Sequence, residues 1–302
     1  MLSASDRVRW LDEPERPPRG RPVVDAHVHL FPPRVFAAIW RWFDQHAWPV
    51  RYRYESERIV EYLEGQQVER VFGLHYSHVP GMARALNHYV SEIARRAPRV
   101  VPFGTVLPGE PEAAAVVAES LDELGHAGLK LHCHVQKMAP DDERLFPVYE
   151  AVARRGKVIV MHAGREPSSP AYGFDSRRLC GVEPVARVVE RYPELKLVVP
   201  HLGADERPVF FDLARASRNL YLDTAMAVGG YLEGDRPGRP QVAALAPRLL
   251  FGSDFPNLPY AWGRERDWLL DLGLAEHELE AILRGNALGL VGLGAPATPR
   301  AR

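Results

Sequence analysis

His27 and His29 stand two residues apart in the segment VVDAHVH. Three more residues able to hold a metal or a proton, His162, His201 and Asp254, fall at the ends of other apolar segments. Side chains two apart in a β-strand face the same way, so His27 and His29 can share one ion. Imidazole nitrogen and carboxylate oxygen together suit Zn2+, Mn2+ or Fe2+. Ligation by His27, His29, His162 and Asp254 leaves a position for water, which a catalytic site needs and a structural one does not. A lone strand-end histidine is more often a hydrogen-bonded core residue, and a lone His-x-His is a weak signal. Five such groups converging in one place are harder to explain blandly, because burying them together unpartnered costs on the order of several kcal/mol.

Convergence depends on the elements that carry these residues. Eight β-rich runs recur: VVDAHVH (23 to 29), RVFGLHY (70 to 76), VVPFGTV (100 to 106), GLKLH (128 to 132), VIVMH (158 to 162), KLVVPH (196 to 201), NLYLD (219 to 223) and RLLFGSD (248 to 254). Most are followed by segments with helical spacing, such as SERIVEYLEGQQ, MARALNHYVSEIARR and DERLFPVYEAVARR. Pro111 and Pro184 sit where a first-turn proline is tolerated, and Ser56 and Asp141 are the expected N-caps. Strands alternating with helices imply parallel strands joined by right-handed crossovers. The pattern predicts an α/β fold, a single-domain TIM (β/α)8 barrel, whose strand C-termini meet at one axial cavity. A doubly wound open sheet fits less well, because no Gly-rich phosphate loop follows the first strand.

The connection FPPRVFAAIWRWFDQHAWPVRYRY, residues 31 to 54, holds three of the chain's six tryptophans. A connection that long in a compact domain is usually functional, so this aromatic insertion after strand 1 is expected to cover the active face as lid or pocket wall. An oligomer contact is the competing reading. Residues 1–22, Pro-rich and polar, read as an extended arm, 23–292 as the barrel, and 293–302 as a disordered tail.

The 302 residues carry a formal net charge of −1, which asks for neither nucleic acid nor an anionic membrane as partner. Cys133 and Cys180 are too few for a disulfide framework. No secretory signal and no apolar run long enough to span a bilayer is evident, so the expectation is a cytoplasmic protein. A small-molecule substrate is expected, and the Pro-rich arm and Trp-rich insertion hint at a homo-oligomer.

The motifs VDAHVHLF, GLKLH, VMHAG, PHLG, FGSDFP and RGNAL occur in this order between residue 23 and about residue 290. Together they resemble the amidohydrolase superfamily. More narrowly, they resemble the amidohydrolase-related branch that includes non-oxidative decarboxylases such as aminocarboxymuconate semialdehyde decarboxylase. The resemblance implies that His27, His29 and His162 are metal ligands and that Asp254 binds metal and handles the proton. His201 would orient a water or polarise the substrate. It implies one divalent ion, Zn2+ or Mn2+. In two-metal members the lysine matching Lys130 is carboxylated and bridges the ions; here an unmodified Lys130 is favoured. Lys130, His132, Arg165 and His75 are the candidates for holding substrate, Lys130 or Arg165 by its carboxylate, and His78 is a further pocket candidate. His134 is expected to be exposed, His46, His88, His126 and His277 to be ordinary surface residues, and Asn286 to be structural. The implied reaction is hydrolysis of an amide or lactone-like C–N or C–O bond by a metal-activated water. The alternative is metal-dependent decarboxylation of an aromatic or conjugated acid. A barrel that binds without catalysing has no use for both a metal cage and proton-handling groups.

Overall fold

The structure, a computed structural model, describes residues 10–165, 169–231 and 236–294. Within them the chain alternates strand and helix as the periodicity predicts. The strands are β1 (Val23–His29), β2 (Val68–Leu74), β3 (Val100–Pro102), β4 (Gly128–His132), β5 (Val158–His162), β6 (Lys196–Val199), β7 (Leu220–Asp223) and β8 (Leu249–Leu250). Every pairing is parallel and joins strands consecutive in the sequence, β1-β2-β3 in one ladder and β4 through β8 in another. The ladders meet at two seams through isolated bridges, Gly104 to Leu129 and Val28 to Phe255. Backbone bonds reinforce the seams: Lys130 N donates to Gly104 O at 2.7 Å, and His29 N to Phe255 O at 2.7 Å. This is the α/β, TIM-type arrangement that the strand and helix order predicts.

Val24, Phe72, Val101, Val158, Val160, Val198 and Leu250 belong to one buried cluster. Side chains from β1 and β2 can touch those of β5 and β6 only across the lumen, so this cluster is the barrel interior. The alternate residues, such as Val71, Leu129, Ile159, Met161, Leu197 and Leu249, pack outward in the larger cluster beneath the helices. On β5 the inward set Val158, Val160 continues to His162, which therefore opens at the inner rim. On β1 the register slips: Asp25 pairs with Val71 and Val28 with Gly73, three steps against two. This extra residue, a β-bulge, reverses which parity faces in, so Ala26 joins the lumen cluster while His27 and His29 still turn inward beyond it.

Several strands are shorter than the apolar runs suggest. β6 stops at Val199 and β8 at Leu250, so His201 and Asp254 stand in the loops that follow. Both have left-handed backbones, φ 58° and 71°, as do Leu202 and Met226. Non-glycine residues held this way cost roughly 1–3 kcal/mol each and cluster where surrounding structure fixes a functional geometry. Residues 31 to 54 are not simply a loop: Pro33–His46 form a 14-residue helix that starts on a proline. Asp142, not Asp141, caps the turn before the Phe146–Arg154 helix, accepting from Arg144 N. Glu55 occupies the N-cap position before Ser56.

The described part of the N-terminal arm is tied down by charge. Arg16 reaches Asp267, Arg19 reaches Asp271, and Arg21 reaches Glu276. Glu15 accepts from Tyr52 and Tyr62. No helix among the described residues is long and apolar enough to cross a membrane. Residues 295–302 of the expected tail lie outside those described.

Candidate metal centre and substrate cavity

His27, His29 and Asp254 form the one group of described residues whose potential ligand atoms all lie within 4.8 Å of one another. Asp254 Oδ1 is 2.9 Å from His29 Nε2 and 3.4 Å from His27 Nε2. The left-handed turn at Asp254 makes this approach possible, and Asp254 N donates to His27 O at 2.9 Å. Burial alone pushes the Asp254 carboxyl upward, but the close contact with His29 and the electrostatic pull of the surrounding histidines outweigh it, and the group ends below its usual range.

The hydrogen bonds behind the cluster fix which nitrogens are bare. His27 Nδ1 is 2.9 Å from Asp223 Oδ2, and an ionised carboxylate only accepts, so Nδ1 carries the proton and Nε2 is bare. His201 Nδ1 is 2.7 Å from the Ala225 carbonyl, which also only accepts. Its Nε2 must then accept from His162 Nδ1 at 3.3 Å, which leaves His162 Nε2 bare, buried and without a partner. Burial, with neighbouring cationic groups, drives the pKa values of His27 and His162 well below the usual imidazole value. Neutral imidazoles with bare nitrogens beside a carboxylate held ionised are the donor set a divalent cation requires. The residues present therefore fit a metal. His162 stands beside the group without belonging to it.

Two buried carboxylates hold this arrangement. Asp223 spends its other oxygen on the amides of His201, at 3.1 Å, and Ala225, at 3.0 Å, so one side chain ties β1, β6 and β7 together. Asp25 accepts from Ser253 Oγ at 2.6 Å, Ser253 N at 3.0 Å, Trp262 Nε1 at 2.9 Å and His27 N at 3.1 Å. Burial raises the Asp25 pKa to about 7 against the pull of those hydrogen bonds. Asp25 thus clamps the bulge of β1 to the loop that presents Asp254.

A cavity of about 940 Å3 opens over the cluster. His29, His132, His162, His201 and Asp254 line it on the barrel side. Trp42, Phe43 and Trp48, from residues 31 to 54, and Tyr76 and Tyr172 form aromatic walls. Its other charged lining residues are Lys137, Arg177, Arg207 and Asp205, joined by His46 and His78. Cationic groups outnumber acidic ones around an apolar slot, which suits a small anionic substrate.

The amidohydrolase family profile matches residues 24–293 of the chain. The chain belongs to the amidohydrolase family. The family is metal-dependent, in keeping with the donor set. A dihydroorotase of Pseudomonas fluorescens (strain Pf0-1) is 32% identical over 96 residues, 29% of this chain and 27% of that protein, so the match spans under a third of its length. An uncharacterized TIM-barrel protein from Bordetella bronchiseptica superposes with a TM-score of 0.69 at 22% identity, over 90% of this chain and 100% of that one. A 5-carboxyvanillate decarboxylase from Novosphingobium aromaticivorans, complexed with manganese and a nitrobenzoic acid, gives a TM-score of 0.69 at 16% identity, covering 94% and 99%. At these identities the two structural likenesses establish the fold alone.

In this amidohydrolase several residues stand elsewhere than the sequence suggests. Lys130 is fully buried beneath the cavity and does not line it. Its Nζ is 3.4 Å from His27 Nε2, and burial lowers its pKa to about 8 against the pull of Asp223 and Asp254. Arg165 lies 3.1 Å from Glu206 and 4.0 Å from Glu183 and is absent from the cavity wall. His75 is sealed in the core, 2.9 Å from Asn87 Oδ1. None of the three faces the cavity. His132 does line it, stacked on His162 at 4.1 Å between centroids, with Nδ1 accepting from Val135 N. His78 lines it too.

His134 is buried rather than exposed, and it lines the cavity. The expectation of exposure treated His134 as a residue beyond the strand; β4 stops at His132, and the Cys133–Gln136 helix that follows at once turns His134 inward. His126 is buried between Ser120 and Ser91, and His46 faces the cavity. Asp223, Asp25, Lys137 and Tyr172 were not singled out by the sequence. A strand-end aspartate in NLYLD, matching the strand-end positions of His132 and His162, was the available signal for Asp223.

Proposed function

We propose that this protein is a metal-dependent hydrolase acting on an amide or lactone-like C–N or C–O bond of a small carboxylate-bearing substrate. The observation that carries the reading is Asp254: a carboxylate kept ionised, in contact with His27 and His29, and open to the cavity. One ion, zinc or manganese, held by His27, His29 and Asp254 with His162 beside them, would supply Lewis acidity, polarising the substrate carbonyl and making a water easier to deprotonate. Asp254 accepts the proton of that water and returns it to the leaving nitrogen or oxygen. His201, pinned through Nδ1 to the Ala225 carbonyl, accepts from His162 Nδ1 through Nε2 and so holds the bare His162 Nε2 beside the cluster. Asp223 and Asp25 keep these groups in register. The partial likeness to a dihydroorotase supports hydrolysis.

The aromatic walls favour a second reading, decarboxylation of an aromatic acid on the same residues. The test is a panel of N-acyl amino acids, cyclic amides, lactones and hydroxybenzoic acids, assayed with protein loaded separately with Zn2+ and Mn2+. Product acid without CO2 is the expected result. CO2 release without net hydrolysis would replace the first reading by the second. His27→Ala with His29→Ala should abolish both bound metal and turnover; turnover that persists without metal would sink both readings.

A further inference from the structure

Hydrolysis of a carboxylate-bearing substrate leaves one group unassigned: the cation or donor that grips the carboxylate. Lys130 and Arg165 do not serve, one being buried under His27 and the other held by Glu206. Two polar residues of the Cys133–Gln136 turn and its C-cap do face the cavity. His134 has no solvent exposure, yet neither of its ring nitrogens makes a well-formed hydrogen bond; the Arg165 carbonyl stands near at poor geometry. Buried polar groups in native proteins almost always find a partner, so an unmet imidazole on a cavity wall marks a place where a ligand supplies one. Its ring lies 5.0 Å from that of His162, 5.8 Å from that of His132 and 5.6 Å from Tyr172, between the metal-side histidines and the aromatic wall.

Lys137 is the second. It caps the turn in the left-handed conformation, φ 54°, a strained choice for a non-glycine residue that sets its side chain at the cavity rim. Its ammonium reaches toward Gly173, where a Cβ would lie 3.8 Å from Nζ, and it pairs with no carboxylate among the described residues.

We propose that His134 and Lys137 form a subsite for a substrate carboxylate, His134 donating a hydrogen bond and Lys137 supplying the charge. This rests on the reading of the cavity as a substrate pocket for small acids, but it does not require hydrolysis. The test is binding, read without turnover. Isothermal titration of the zinc-loaded protein is run with isophthalate and with its neutral diamide. Wild type binds isophthalate, and Lys137→Met weakens that binding by about tenfold, the scale of one charge-assisted contact, with the diamide changed less than about twofold. Lys137→Arg restores it. His134→Leu has the same selective effect; where that buried change impairs folding, Lys137→Met at the exposed rim carries the test alone. Equal loss for both ligands, no loss for either, or no binding of isophthalate by wild type overturns the subsite. Selective loss in a protein that hydrolyses none of the panel keeps the subsite and rejects the hydrolase reading.

Discussion

His27 Nδ1 lies 2.9 Å from Asp223 Oδ2, both side chains fully removed from solvent and 196 residues apart in the chain. The contact decides the tautomer of His27, and through it which nitrogen is free to meet an ion. Partners of this kind typically change metal affinity by 10–100-fold. Asp223→Asn keeps the shape but offers an amide in place of the acceptor. Metal affinity should fall by roughly that factor, measured by competition with a chromogenic chelator. Unchanged affinity would mean that His27 is oriented by something else.

Asp254→Asn removes the proton acceptor. Turnover should fall by about 10²–10⁴-fold, the usual range for a positioned acid–base group. Elemental analysis of the same sample separates this loss from loss of metal. A variant that keeps both its metal and near-normal turnover would exclude Asp254 from proton transfer.

Lys130→Met tests the buried amine 3.4 Å from His27 Nε2. An ammonium beside a dication opposes its binding, so a neutral side chain of similar length should leave metal affinity equal or raise it, at about one ion per chain. A fall from about two ions to one would instead identify Lys130 as a carboxylated bridge.

His126 predicts a pH effect on stability, away from the cavity. It is buried between Ser120 Oγ at 2.8 Å and Ser91 Oγ at 2.7 Å, and burial lowers its pKa to about 3 from the usual 6.5. Below pH 6.5 the unfolded chain binds this proton and the folded chain does not. Its contribution is therefore complete above that pH and is lost as pH falls toward 3, by up to about 1.4 kcal/mol per unit. Denaturant melts between pH 7 and pH 4 should show a steeper loss in wild type than in His126→Gln. Parallel slopes would rule out His126 as the source.

The residue types carry much of the site by themselves. A two-residue period fixes the face of a strand, so His27 with His29, and His162 with Val158 and Val160, could be placed inside a barrel from local pattern alone. The alternation of strand and helix predicted that barrel, because apolar strands flanked by amphipathic helices have few other ways to bury both faces. Periodicity fails where a strand ends. His134, expected to be exposed as a residue beyond β4, is buried by the helical turn that begins at Cys133, and the bulge that keeps His27 and His29 inward leaves no mark on the spacing.

Partnership lay beyond the sequence altogether. Lys130, Arg165 and His75 have the chemistry to hold an anion, and only the folded chain shows them committed to His27, Glu206 and Asn87. Asp25 and Ser253 are 228 residues apart. A local pattern states which way a side chain points. What it meets there depends on strands brought together by burial of the whole lumen, and that decided which titratable groups face the cavity and which hold it in place.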